Sequence, residues 1–137
     1  RASFEFPAEE EWESRWRQIL LASVWEALEN HQREQPGNLA HTVLRALADH
    51  PQEDSKQLAL RVSRQCGRTI QPEAFRKQAS RARRLFAELD ITETARTLDD
   101  PTPLKVEEEL IDMDFMKYVR AYLSPDWRTS GKLLAGD

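Results

Sequence analysis

The stretch QPEAFRKQASRARRLFAEL, residues 71–89, decides how the rest of the chain is read. Pro72 suits the first turn of a helix, where its missing N–H is no loss, and Glu73 complements the positive helix end. From there Phe75, Ala79, Ala82, Phe86 and Leu89 recur at steps of four or three, the spacing that keeps side chains on one side of an α-helix. At about 100° per residue with Phe75 at zero, these apolar residues fall within roughly 40° of zero, whereas Arg76, Lys77, Arg81, Arg83 and Arg84 fall between roughly 80° and 240°. The spacing predicts a two-faced helix, apolar toward a core and cationic on its outer side. A solvated surface is the ordinary reading of a charged helix face, but such faces mix both signs so that i,i+4 pairs form, and here Glu73 and Glu88 stand only at the ends. The sharper reading is a helix that lies against phosphates and base edges.

The net charge of the 137-residue chain is −4, which argues against nucleic acid until its distribution is counted. Between positions 55 and 84, Lys56, Arg61, Arg64, Arg68, Arg76, Lys77, Arg81, Arg83 and Arg84 meet one acid, Glu73, a local balance of +8 that leaves −12 elsewhere. A local field, not the net charge, steers a polyanion. At 39% hydrophobic residues the chain can supply a core without staples. Cys66 stands alone, so no intrachain disulfide can form, and it reads as a buried thiol in a reducing cytoplasm. The longest apolar run, 19–22, is far too short to span a bilayer, and no basic-then-apolar leader opens the sequence, so the expectation is a soluble, cytoplasmic protein with no membrane partner.

The sequence divides into an N-terminal helical pair (1–52), a helix-turn-helix segment (53–98), a C-terminal helical extension (99–123) and a tail (124–137). Residues 1–6 are too short to assign. A first helix is predicted over 7–32, with Pro7 in its first turn, Glu9, Glu10 and Glu11 complementing the dipole, and Trp12, Trp16, Ile19, Leu20, Ser23, Ala27 and Leu28 inward. A second spans 39–50 with Leu39, Val43, Leu44 and Leu47 inward, ended by Pro51. Asp54 with Gln57 three residues on forms a capping box for a third helix beginning at Ser55, with Leu58, Ala59, Val62 and Cys66 as its apolar stripe. Gly67 supplies the left-handed position that stops it, and residues 68–71 lead into the Pro72 helix. Near Asp90 the pattern fits either a kink or a continuing helix. Asp99-Asp100-Pro101-Thr102-Pro103 is a break. Beyond it, 104–123 reads as helical with Val106, Leu110 and Met113 on one stripe and Ile111, Phe115, Tyr118 and Tyr122 on another, Asp114 dividing the two halves, after which the tail thins out. The fold class is all-α, a multi-helix bundle containing a helix-turn-helix.

No phosphate loop or dinucleotide fingerprint can be built on Gly37, Gly67, Gly131 and Gly136. The acid runs at Glu9, Glu10, Glu11 and at Glu107, Glu108, Glu109 point around their helices, so they read as solvated surface instead of paired catalytic carboxylates. His31, His41 and His50 lie too far apart in sequence for a one-turn metal site. With no local nucleophile motif either, the sequence points to a protein that is not an enzyme and needs no cofactor or metal.

Over residues 54–89 the sequence resembles region four of the bacterial sigma-70 family, in particular sigma factors of the extracytoplasmic-function type. Leu58-Ala59 stands where the family has its Leu/Ile-Ala in the first helix of the motif, Phe75-Arg76-Lys77 where a Val-Lys/Arg-x opens the recognition helix, and Arg81-Ala82-Arg83 matches the end of the family's His-Arg-Ala-Arg stretch. Ala79 replaces a usual Leu, Ser80 the usual His, and the turn through 68–71 is longer. Residues 91–123 are similar to the extension that follows region four in some of these factors. Region two, which in the family melts promoters and grips core polymerase, has no counterpart, so a longer parent chain is expected. The resemblance implies sequence-specific binding of double-stranded promoter DNA in transcription initiation and contact with RNA polymerase core. In such a motif the N-terminal part of the second helix meets base edges, which assigns Gln71, Arg76, Lys77 and Ser80 to bases, Arg81, Arg83 and Arg84 to phosphates, and Arg61, Arg64 and Arg68 to the flanking backbone. The rival expectation is a helical protein-binding module whose basic face meets an acidic partner, with Trp25 or the Phe115, Tyr118, Tyr122 stripe as a dimer surface. The oligomeric state is not readable from the sequence.

Overall fold

The computed structural model describes residues 9–130 and 132–134. Its order is α1 (Glu9–Glu34), α2 (Ala40–Asp49), α3 (Ser55–Cys66), α4 (Pro72–Arg96), α5 (Pro103–Asp112), α6 (Met116–Tyr122) and α7 (Trp127–Ser130), with no strand among the described residues. The protein is all-α. Residues 1–6, Pro7, and the side chains of Glu9, Glu10, Glu11 and Trp12 lie outside what is described.

The apolar face of α4 holds as read. Phe75, Ala79, Ala82, Phe86 and Leu89 are all buried. The helix runs unbroken through Asp90 to Arg96, which decides for continuity over a kink. It crosses two apolar clusters. Phe75 and Ala79 belong to one with Val43 and Ala46 of α2 and Leu58, Ala59 and Val62 of α3. From Ala82 onward α4 joins Leu20, Val24 and Leu28 of α1, Val106 and Leu110 of α5, Met116 and Val119 of α6, and Trp127 of α7. Every helix from α1 to α6 therefore takes its position from α4 directly or through one neighbour.

Four expectations need correction. In α1, Ile19 is 51% exposed while Val24, outside the expected stripe, is fully buried. The ridge that packs is Leu20, Val24, Leu28, and Trp25 turns that ridge inward by standing edge-on to His41 at 5.8 Å and to Phe86 at 5.2 Å. In the C-terminal helices, Asp114 adopts φ +61° and divides α5 from α6, as expected, but the break also resets the helical phase. Ile111 is consequently exposed, and Met116 and Val119 are the buried residues of α6. The tail returns to the core: Trp127 is buried, Leu133 and Leu134 pack on the main cluster, and Thr92 Oγ1 donates to the Leu133 carbonyl at 2.9 Å. Glu107 is not solvated surface either. It takes Arg128 at 2.6 Å and Arg120 at 3.3 Å, tying α5 to α6 and α7, and these bonds hold its carboxyl below the usual range.

The C-terminal half of α4 is enclosed on more than one side, so that Asp90, Thr92 and Thr94 are buried with Ile91 and Ala95. Asp90 Oδ1 and Thr94 Oγ1, one turn apart, find no hydrogen-bond partner among the described residues. Burial raises the Asp90 carboxyl from an ordinary 3.8 to about 8, so it is held neutral near pH 7. The folded state thus binds a proton that the unfolded chain has released. The stability linked to that proton is fully present below the unfolded value and is lost as pH rises from about 4 through about 8. Thermal unfolding of the wild-type chain across this range should show stability falling by up to about 1.4 kcal/mol per pH unit from this group. Asp90→Asn should flatten that slope and melt higher than wild type at the alkaline end; parallel curves for the two chains would show that Asp90 does not set it.

Candidate nucleic-acid interface

Local chemistry fixes α3 and the start of α4 as one unit. The Asp54 carboxylate accepts from the Gln57 N–H at 2.9 Å, and the Gln57 side chain accepts from the Asp54 N–H at 3.0 Å, so two N–H groups at the helix start are satisfied reciprocally. At the other end Gly67 sits at φ +70°, a conformation costly for a residue with a Cβ, and the N–H groups of Gly67 and Arg68 both reach the Ser63 carbonyl. Ser63 Oγ donates to the Ala59 carbonyl at 2.6 Å and accepts from the Ile70 N–H at 2.8 Å, which folds the connecting segment 67–71 back on α3. Pro72 then opens α4, and Phe75, 1% exposed, plugs the α2–α3 cluster. The outward face of α4 is therefore set by an anchored turn and a buried ring.

On that face Gln71, Arg76, Lys77, Ser80, Arg81 and Arg84 are exposed, as are Arg64 and Arg68 on and after α3. Gln71 spends nothing on capping, since its side chain makes no hydrogen bond at the helix start. None of Arg64, Arg68, Arg76, Lys77, Arg81 and Arg84 pairs with a carboxylate of the described residues. Arginines elsewhere do: Arg33 with Glu29, Arg45 with Asp49, Arg96 with Glu93, and Arg120 and Arg128 with Glu107. The unpaired cations thus coincide with the segment where the sequence concentrates positive charge.

Two of the ten expected residues are placed differently. Arg61 is exposed but held by Glu53, its Nε 3.0 Å from Oε1 and its Nη2 on Oε2. That bond from Arg61 draws the Glu53 carboxyl below the usual range. The fork-shaped guanidinium matches both carboxylate oxygens, so Arg61 adds little net field to the face. Arg83 is half-buried, and its charge favours the ionised form of the Tyr118 phenol of α6. Burial first, then Asp90 and Tyr122, outweigh it and push that phenol up to about 12. Arg83 is thus less open to a ligand than the exposed cations of α4.

Lys56 was counted in the basic segment but not assigned. It shares one side of α3 with Leu60 and Arg64 at i,i+4 spacing, a signal the sequence carried. With Gln71 and Pro72 it borders a hollow of about 400 Å³ between α3 and the start of α4, floored by Ala59 and Ile70. The Glu53–Arg61 bond, by contrast, joins residues on either side of the cap and has no periodic signature. Cys66 is half-buried against the α2–α3 cluster and free. His31, His41 and His50 are all half-buried, His50 as the cap of α2, and no group of His, Cys, Asp and Glu among the described residues is placed to hold a metal ion.

The fold and this site define an all-α protein with a rigid two-helix basic face whose cations are free to meet an anion. Comparison with family models, with curated protein sequences and with solved structures gives no match. No described helix is long and apolar enough to cross a membrane.

Because Glu53 neutralises Arg61, Glu53→Gln should release one further cation onto the face. If the face binds nucleic acid, the variant should bind non-specific duplex DNA more tightly, with a log–log salt slope steeper by up to about 0.9. An unchanged slope would place Arg61 outside the reach of a bound duplex.

Proposed function

We propose that this chain is a sequence-specific, non-enzymatic DNA-binding domain that reads an upstream promoter element in the manner of sigma-factor region four, with α3 and α4 as its helix-turn-helix. The observation that carries the reading is the set of six cations on one surface of α3, the turn and α4, all unpaired among the described residues, on helices whose opposite sides are buried. A phosphate backbone is the anion that best matches charge spread along a rod, since each contact releases counterions and no single pocket has to form. The exposed N-terminal turns of α4, with Gln71, Arg76 and Lys77, supply the forked and amide donors that discriminate bases in a major groove. In this reading the domain works in the cytoplasm, and the resemblance to sigma factors adds RNA polymerase core as a protein partner.

A second reading keeps the basic face for an acidic protein. It is favoured by an apolar hollow of about 320 Å³ lined by Leu21, Trp25, Leu44, Leu47, Phe86 and Tyr118, on which a partner side chain could seat. Competition separates the two. Binding-site selection should yield a preferred duplex that outcompetes random DNA, with a salt slope of roughly −4 to −5 if five phosphates are engaged. On the selected site Arg76→Ala should cost about 1–3 kcal/mol and relax preference at one base pair, whereas Arg84→Ala should weaken all sequences alike. Absence of duplex binding at low salt would decide for the protein partner.

A further inference from the structure

The geometry points to a phosphate-binding recess between α4 and the end of α6, an element outside the helix-turn-helix itself. This inference rests on the DNA reading above and specifies how one part of that surface works. Ser80, Arg81 and Arg84 of α4 face Ala121 and Tyr122 of α6 and its C-cap Leu123 across a cavity of about 260 Å³. Ser80 and Arg84 lie one turn apart on the same ridge, and Arg81 flanks them, so a hydroxyl and two guanidinium forks converge on one hollow. Both arginines are exposed and neither pairs with a described carboxylate.

The opposite wall is held independently. Met116 and Val119 are buried, Tyr118 stands edge-on to Phe86 at 6.2 Å and 5.2 Å from Tyr122, and Arg120 is tied back to Glu107 at 3.3 Å. The end of α6 brings at most about half a negative charge to the recess, against two full positive charges from Arg81 and Arg84. The recess therefore selects an anion, and its donors suit the tetrahedral oxygens of a phosphate.

The recess also sets how α4 can enter a groove. Gln71 and Ser80 are nine residues apart, about 13.5 Å of helix rise, close to the roughly 12 Å width of a major groove. With the first turns of α4 in the groove, Ser80, Arg81 and Arg84 stand at its bordering phosphates, and the end of α6 blocks deeper entry. Ser80 thereby moves from the base-reading set to the phosphate-holding set.

The test is Ala121→Trp, which fills the recess from the α6 wall at an exposed position, with Ser80→Ala beside it and circular dichroism confirming that both fold. On the selected duplex, Ala121→Trp should weaken binding about tenfold and make the salt slope shallower by about 0.9, with the order of preferred bases unchanged for both variants. Duplex binding that survives Ala121→Trp with the same affinity and slope overturns the recess and leaves the DNA reading standing. Altered preference at one base pair in Ser80→Ala overturns it as well, because Ser80 then reads a base. If the unaltered chain binds no duplex, the DNA reading fails, and titration with inorganic pyrophosphate decides the recess alone. Binding that Ala121→Trp abolishes then makes it a site for a free phosphate anion, and no binding removes it.

Discussion

The burial of one side of α4 is the constraint on which the other elements depend. Phe75 and Ala79 close the cluster with α2 and α3, and the same ridge continues through Ala82, Phe86 and Leu89 into the cluster shared by α1, α5, α6 and α7. A helix shared by two cores cannot rotate about its axis without emptying both, and each large side chain withdrawn from a packed core costs about 2–5 kcal/mol. The direction in which Arg76, Lys77, Arg81 and Arg84 point is thereby fixed by residues on the far side of the rod. Ser63, bonded to both Ala59 and Ile70, carries the same constraint through the turn to Arg68.

The acids are distributed so that some cations are paired internally and others stay unpaired among the described residues. Glu107 gathers Arg120 and Arg128 and thereby fastens α6 and α7, while Glu53 holds Arg61 at the edge of the basic face. Within the N-terminal half of α4 the sequence places one acid, Glu73 in the first turn, and it stays exposed. Net charge hides this arrangement because it adds the two populations together.

What the sequence revealed and what it concealed divide along a physical line. Signals confined to one helix were readable: the Asp54–Gln57 box, the left-handed Gly67, the helix-breaking Asp114 and the apolar ridge of α4 all obey local rules. Features set by what a neighbour covers were not. The inward turn of Val24 in place of Ile19 follows from Trp25 meeting Phe86 and His41, and neither contact has a sequence spacing. Asp90 and Thr94 have the composition of a solvated turn, yet they are enclosed because α4 is surrounded in its second half. In the candidate site the exposed residues were readable from periodicity, whereas the pairing of Arg61 and the partial burial of Arg83 needed tertiary structure.

The unpaired cations have a stability cost that the core must exceed, and the magnitudes show that it does. Lys77 with Arg81 and Arg81 with Arg84 are like-charge neighbours at i,i+4 and i,i+3, each destabilising by about 0.2–0.5 kcal/mol. Burying Phe75 alone contributes about 1.5–3 kcal/mol, and Ala79, Ala82, Phe86 and Leu89 add to it on the same ridge. The repulsion is thus held in place by packing a few ångströms away and is not removed by any partner acid among the described residues. On the proposed reading an anion laid along α4 would relieve it, and binding would gain from a tension that the fold sustains and does not resolve by itself. A basic face balanced by its own carboxylates would have to break those pairs before meeting a ligand, and this one does not.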